Sequence, residues 1–351
     1  MRINVDKIAS VTRNLKLDRV LTLSPTVNAE HGAVVAGRIM GDKSAYNQLE
    51  DVHGRMNVIH GDDVIVGALG HRNALHGYEG VLPQHVEQGQ TLHVLNLGGV
   101  IGQCVSHNPE VGPPFEFEVL GQVLVYPEFQ SREGQLANIR MGALQQNDRK
   151  PDCRVIYVAG TCMNAGKTAA ACALVRRLSQ AGFRVGGAKL TGVSLMRDTL
   201  SMLDYGAEVT HDFTDAGIVC TGPESANQVA RTLFAKLSGR GLDVIVAETG
   251  DGIMGDYGVQ AILVDPELRA LTVAFVFCAN DPVGVVGGVR QLQQEYGITA
   301  DVVTGPATDN NVGVRFVERE VGLRAINARN HSKIFGEHML KVLASRGIRI
   351  P

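Results

Sequence analysis

The stretch that organises this sequence is Val155-Ile-Tyr-Val-Ala-Gly-Thr-Cys-Met-Asn-Ala-Gly-Lys-Thr168. In it, an apolar and mostly β-branched run meets a glycine-bearing loop, and an alanine-rich segment at 169–178 follows as a predicted helix. Strand, loop and helix in this order are typical of a phosphate-binding loop, because the loop amides and the helix dipole converge on one anion. The alternative interpretation is a purely structural turn.

The side chains of this loop have expected roles in binding a nucleotide. Lys167 would reach the outer phosphates, and the hydroxyl of Thr168 would bind Mg²⁺. The loop departs from the common pattern because five residues, not four, separate Gly160 from Gly166. We expect the nucleotide to be bound by Gly160, Thr161, Met163, Asn164, Ala165, Gly166, Lys167, Thr168 and Ala169.

Length and composition indicate a two-domain cytoplasmic protein, since 351 residues exceed the usual size of one domain. The net charge of −3 provides no basic field for nucleic acid. The N-terminus lacks the apolar stretch of a signal peptide, and no run approaches the roughly 18 apolar residues of a membrane span. Six cysteines without CxxC pairs suggest neither a disulfide framework nor a zinc knuckle. We therefore expect a small-molecule substrate as a partner, and neither nucleic acid nor a membrane.

Residues 1–150 are predicted to form a β-rich domain, a small barrel or sandwich serving as a lid or specificity module. Its apolar, glycine-rich segment 97–102 predicts a tight bend where another backbone approaches. Eight of the eleven histidines lie here without metal-binding spacing, so scattered hydrogen-bonded or solvated histidines are favoured over a metal site. The loop at 70–77 is either functional or structural. Short strands are predicted at 20–23, 33–36, 63–69, 91–95 and 115–120.

Residues 151–351 are predicted to form a P-loop nucleotide-binding domain with a mostly parallel sheet and helices on both faces. The boundary is expected at 148–153, because the chain is polar and aperiodic from 126 onward. The predicted strands are 154–159, 183–189, 216–220, 242–248, 271–278 and 300–304, with a further helix and strand up to about 328. The predicted helices are 166–181, which includes the alanine-rich segment, 194–206, 225–239, 256–265, 284–296 and 331–345. The chain as a whole is thus expected to be α/β.

Two predicted strands end in charged side chains at the expected ligand crevice. Lys189 would stabilise charge on a transferring phosphoryl group or an anionic substrate. The alternative interpretation is that Lys189 is a solvated lysine at the end of the strand. Glu248 is the preferred Mg²⁺ ligand, and Asp251 in the following glycine turn is a weaker candidate. Asp198 would either complete the metal site or cap a helix. We therefore assign catalysis to Lys189 together with Lys167.

A third predicted strand brings Asn280 and Asp281 to the same crevice. Their amide and carboxylate would read a base edge, or the pair would form a helix-capping turn around Pro282. The loop at 304–310 is a similar strand-end loop that would border the base. ATP is the expected nucleotide and GTP stays open, since the sequence here is not the Asn-Lys-x-Asp guanine motif.

Over roughly 154–310 the chain resembles the dethiobiotin synthetase-like P-loop NTPase family. That family carries the loop Gly-Thr-x-x-x-x-Gly-Lys-Thr, with the extra residue found here at 160–168, and a lysine that matches Lys189. The family has a proline where this chain has Leu190 and an aspartate where it has Cys162. The resemblance implies Mg²⁺ ligands at Thr168, Asp198 and Glu248 and an adenine neighbour at Asn280.

Two functions follow from the residues and the resemblance. The leading hypothesis is an ATP-dependent ligase or kinase that activates a carboxylate-type small-molecule substrate by phosphorylation. The alternative is a slow NTPase that acts as a nucleotide-dependent regulator or as an accessory or carrier protein, binding its partner through the β-rich domain. Relatives with this loop form dimers, so the resemblance also implies a homodimer.

Overall fold

A computed structural model describes residues 1–127, 133–145 and 150–349, and the chain divides into two units. The β-rich unit consists of Met1–Leu144, Val193–Arg197 and Phe213–Cys220. The α/β unit consists of Gln145–Gly192, Asp198–Asp212 and Thr221–Pro351. Of the boundary predicted at 148–153, residues 148 and 149 lie outside the described residues. No described helix is long and apolar enough to cross a membrane.

The β-rich unit is built from short strands joined by tight turns, with 3-10 helices at Ser10–Leu15 and Ile139–Gly142. Its strands among the described residues are β1 (Arg2–Asn4), β2 (Lys7–Ile8), β3 (Val20–Ser24), β4 (Val34–Met40), β5 (Gln48–Glu50), β6 (Met56–Val58), β7 (Val64–Leu69), β8 (Arg72–Asn73), β9 (Tyr78–Val81), β10 (Thr91–Val94), β11 (Val100–His107), β12 (Glu116–Val125) and β13 (Gln135–Leu136). All five predicted strands are present.

Five of these strands close into a small barrel. β12 pairs with β4, β4 with β7, β7 with β11, and β10 joins β11 back to β12. The β7–β11 pair is parallel and the other four are antiparallel. On β12 the alternation expected of a half-buried strand is present, since Phe117 and Val119 are fully buried while Glu116 is exposed.

The segment 193–197 is held in the β-rich unit by buried polar contacts. Asn96 donates through Nδ2 to the carbonyl oxygen of Ser194 at 2.6 Å. A Cβ at Gly98 would lie 2.0 Å from the same oxygen, so glycine is required there. The close backbone approach predicted for 97–102 is therefore confirmed. The segment 213–220 is also held in the β-rich unit, by an ion pair of 2.8 Å between Arg13 and Asp215.

The α/β unit alternates strands and helices, with a 3-10 turn at Pro306–Thr308 and a π-helical turn at Val317–Val321. Its strands are β14 (Val155–Gly160), β15 (Val185–Lys189), β16 (Val209–Asp212), β17 (Val244–Glu248), β18 (Thr272–Cys278) and β19 (Val302–Thr304). Its α-helices are α1 (Lys167–Gln180), α2 (Arg197–Asp204), α3 (Ala226–Ser238), α4 (Val259–Val264), α5 (Pro266–Ala270), α6 (Pro282–Tyr296), α7 (Asn311–Phe316) and α8 (Ser332–Ser345).

The six strands form one parallel sheet in the order β16-β15-β17-β14-β18-β19. One face buries α1 and α8 against side chains such as Val158 and Val246. The other face receives α3, where the ring of Phe234 meets Tyr157, and α6, where Gly288 lies against Phe277. The predicted parallel sheet with helices on both faces is confirmed. Because all strands run the same way, their carboxyl ends meet at one edge.

Three predicted elements of this half of the chain need correction. The prediction of a strand at 216–220 is wrong. The strand in this part of the chain is β16, which ends at Asp212, and Val219 packs into the core of the β-rich unit. The helix expected at 194–206 begins only at Arg197, because the residues before it belong to the β-rich unit. The strand expected before 328 is reduced to a single bridge between Val303 and Ala325.

Candidate nucleotide site at the carboxyl edge of the parallel sheet

The loop after β14 has the backbone of a phosphate-binding loop. β14 ends at Gly160 and α1 begins at Lys167, so the loop joins the central part of the sheet directly to a helix N-terminus. Gly166 has a φ of 88°, a left-handed conformation that favours glycine immediately before the helix. The loop amides and the first turn of α1 therefore lie together, as binding of an anion requires. The predicted P-loop is present.

Two glycines from neighbouring strand ends press against this loop. A Cβ at Gly252 would lie 2.0 Å from the carbonyl oxygen of Thr161. A Cβ at Gly305 would lie 2.3 Å from the carbonyl oxygen of Ala165. Each glycine follows shortly after a predicted strand, a position where close backbone approach is common, but no sequence pattern distinguishes these two from other turn glycines. A side chain at either glycine would therefore displace the backbone of the loop.

Lys167 points back into its own loop. The residue is 5% exposed, and Nζ donates to the carbonyl oxygen of Cys162 at 2.6 Å. Burial, and then the charge of Lys189, lower the pKa of Lys167. The ammonium thus lies against the backbone of the loop, where an outer phosphate is expected. The other predicted nucleotide ligands share the loop and the first helical turn with it: Gly160, Thr161, Met163, Asn164, Ala165, Gly166, Thr168 and Ala169.

Lys189 joins the two predicted metal-binding carboxylates. It is the register partner of Glu248 on the adjacent strand, so both side chains leave the sheet on the same side. Its Nζ donates to Glu248 Oε1 at 2.6 Å and to Asp198 Oδ2 at 2.7 Å. The hydroxyl of Thr168 donates to the same Glu248 oxygen at 3.0 Å. The structure therefore brings Thr168, Lys189, Asp198 and Glu248 into one cluster.

The electrostatics of this cluster are those of a buried ion pair. The Lys189 side chain is 12% exposed and that of Glu248 is 1% exposed, so Lys189 is paired and not a solvated strand-end lysine. Burial alone would lower the pKa of Lys189, but the carboxylates of Asp198 and Glu248 outweigh it and hold the pKa above its ordinary value. Asp198 lies inside the first turn of α2 and pairs with Lys189, which favours the metal-site interpretation over the helix cap.

The oxygen atoms of this cluster fit a magnesium ion. A hydroxyl and two carboxylates are donors that Mg²⁺ prefers, and Glu248 Oε2 is buried without a hydrogen-bond partner. In the described residues, no three His, Cys, Asp or Glu side chains are grouped to hold a metal ion. A magnesium ion here would therefore depend on Thr168, Asp198 and Glu248 together with phosphate oxygens and water.

Three further candidates lie around the loop. Asn280 donates through Nδ2 to the sulfur of Cys162 at 3.0 Å, which places its amide against the phosphate loop. Asp281 accepts from the amide of Gly284 at 2.9 Å and caps α6, so for this residue the capping interpretation applies. Burial raises the pKa of Asp251, although the charge of Lys167 opposes that rise. Asp251 stays a weaker candidate for the metal ion.

Comparisons with known proteins give distant similarities. No protein-family model matches the chain, and no curated protein matches it. The signal recognition particle receptor FtsY from Elizabethkingia anophelis, in complex with GDP, is 13% identical with a TM-score of 0.37, over 55% of this chain and 66% of that one. The 54 kDa signal recognition particle protein from Aeropyrum pernix K1, in complex with GDP, is 17% identical with a TM-score of 0.37, over 57% and 48%.

The cell division protein FtsY from Thermotoga maritima is 16% identical with a TM-score of 0.36, over 57% of this chain and 71% of that one. This chain thus covers less than two thirds of the length of the first two proteins. Because these TM-scores are below 0.5, the assignment of the site rests on its own geometry. That geometry comprises the loop after β14, Lys167, and the cluster around Lys189.

Proposed function

We propose that this chain is a Mg²⁺-dependent P-loop NTPase that hydrolyses a nucleoside triphosphate slowly and acts as a nucleotide-dependent regulator. The observation that carries the proposal is the cluster of Thr168, Lys189, Asp198 and Glu248 beside the phosphate loop. It combines cationic groups for the phosphates with oxygen donors for a metal ion. The ligase or kinase hypothesis finds no support in the comparisons, and we propose the slow NTPase in its place.

Each side chain has a distinct task in this proposal. Lys167 would exchange the Cys162 carbonyl for an outer phosphate oxygen, and the loop amides would bind the inner phosphates. Thr168, Asp198 and Glu248 would hold Mg²⁺, which when bound supplies positive charge to the phosphate oxygens. We propose slow hydrolysis because Glu248 would serve as a ligand of the metal ion in this arrangement and not as a base for water.

The path of the chain supports a regulatory role. Lys189 and Asp198 both belong to the α/β unit, but the segment Val193–Arg197 between them folds with the β-rich unit. A change at either residue on nucleotide binding would therefore be transmitted along the chain to that segment. We propose that the β-rich unit binds the regulated partner, which would then respond to the nucleotide state.

Hydrolysis and hydrogen exchange together test this proposal. Slow, Mg²⁺-dependent release of phosphate from ATP or GTP is expected, with ATP and GTP as separate arms. Amides of 193–197 should change their exchange rate when a non-hydrolysable nucleotide is added, and should not change in Lys167→Ala. Stimulation of hydrolysis by a small carboxylate, with no exchange difference at 193–197, would instead favour the ligase or kinase. The implied homodimer stays a prediction, which sedimentation with and without nucleotide would test.

A further inference from the structure

The Lys189 ammonium lies in the place that a metal ion would take between two carboxylates. We infer that Lys189 closes the metal position of the nucleotide-free protein, so that a divalent ion enters with the nucleotide and not before it. This inference rests on the proposed function and concerns the regulation of the same site.

The Lys189 ammonium contacts both of the carboxylates that would hold a metal ion. Nζ contacts Glu248 Oε1 at 2.6 Å and Asp198 Oδ2 at 2.7 Å, and these oxygens belong to the two carboxylates that would hold the ion. The exposed fraction of the side chain is 12% for Lys189, 1% for Glu248 and 17% for Asp198. A divalent ion bound at the same Glu248 and Asp198 oxygens would repel the ammonium, because like charges at this separation repel strongly. Lys189 would therefore have to leave these two oxygens before an ion could bind them.

The charges explain why nucleotide is needed for that exchange. Without Lys189 the buried carboxylate of Glu248 and the half-buried carboxylate of Asp198 would repel each other, so the lysine is their counter-ion. A free divalent ion that displaced Lys189 would leave a buried ammonium without a partner, which is unfavourable. The outer phosphates of a nucleotide, held nearby by Lys167, would give the displaced ammonium a new anionic partner. Metal and nucleotide should consequently bind with positive coupling.

Titration with Mn²⁺, followed by electron paramagnetic resonance, tests this inference on the full chain without nucleotide. We expect wild type to bind Mn²⁺ only weakly, and Lys189→Met to bind one Mn²⁺ ion with an affinity about 5–150-fold higher, the usual range of such couplings. Lys189→Arg keeps a cation in place and should behave like wild type. Lys341→Ala, on the exposed side of α8, is the control for loss of one lysine.

A stoichiometric Mn²⁺ site in nucleotide-free wild type would overturn the inference, and this measurement needs no variant to fold. Equal Mn²⁺ affinity of wild type and a folded Lys189→Met would overturn it as well. Nucleotide affinity is measured separately, with Mg²⁺ and with EDTA. If no nucleotide binds under either condition, the proposed function fails, whereas the Mn²⁺ comparison between wild type and Lys189→Met still reports on the lysine.

Discussion

Replacing Lys189 by methionine should destabilise the α/β unit by about 3–5 kcal/mol at neutral pH, the usual loss when one partner of a buried ion pair is removed. The structure places most of this loss on Glu248, whose side chain is 1% exposed, because Asp198 at 17% keeps some contact with water. The double variant Lys189→Met/Glu248→Gln should therefore recover most of the stability. In it, a neutral amide replaces the uncompensated carboxylate.

The loss in Lys189→Met should depend on pH in a defined direction. Burial raises the pKa of Glu248 above its ordinary value of 4.5 even beside the ammonium, and more so without it. The folded variant then binds a proton more tightly than the unfolded chain. Below the ordinary value the carboxyl is neutral in both states and contributes no loss. As the pH rises through the folded-state pKa, the destabilisation should grow.

Urea unfolding followed by far-UV circular dichroism, for wild type and both variants across this pH range, gives the measurement. The helices that dominate this signal belong to the α/β unit. The reasoning would be refuted if Lys189→Met unfolds with the free energy of wild type at neutral pH. It would equally be refuted if the loss is the same at acidic and neutral pH, or if Glu248→Gln brings no recovery in the double variant.

Three further predictions concern the loop, the β-rich unit and helix α6. Gly252→Ala should weaken nucleotide binding about tenfold or more, because its Cβ would lie 2.0 Å from the Thr161 carbonyl; Gly287→Ala, with open space around it, is the matched control in the same fluorescence titration. Glu50 is fully buried, and burial raises the pKa of its carboxyl above the ordinary value of 4.5. Because the folded protein then binds this proton more tightly than the unfolded chain, wild type should lose stability relative to Glu50→Gln as the pH rises above about 4.5. A difference in unfolding free energy that does not depend on pH would contradict this. Asp281→Ala should cost about 1 kcal/mol by loss of the α6 cap while leaving nucleotide affinity unchanged; an affinity loss would return Asp281 to the base-reading role.

Much of the α/β unit could be predicted because its signals are local. The apolar run, the glycine loop and the alanine-rich segment at 155–178 each have a pattern that specifies its own conformation. Lys189 and Glu248 could be assigned to the same sheet edge, since both end apolar runs in a parallel sheet. Their direct pairing could not be predicted, because it depends on the adjacency of β15 and β17, which are separated in the chain by β16.

The strand predicted at 216–220 and the helix start predicted at 194 are wrong for the same physical reason, which is contact between residues far apart in sequence. The run at 216–220 is apolar enough for a strand, yet Val219 is buried in the core of the β-rich unit. The anchors of these segments, such as the Asn96 contact with Ser194, join positions 98 residues apart. Nothing in the local pattern around 193–197 or 213–220 indicates such partners.

We propose that the loop after β14 and the cluster at Lys189 form one site for a nucleotide and its metal. Equilibrium binding of fluorescent ATP and GTP analogues tests it most directly, with and without Mg²⁺, in wild type, Lys167→Ala and the exposed control Lys341→Ala. We predict Mg²⁺-dependent binding of at least one analogue to wild type and to Lys341→Ala, with affinity strongly reduced in Lys167→Ala. Binding that is unchanged in Lys167→Ala, or absent from wild type with both analogues, would contradict the account.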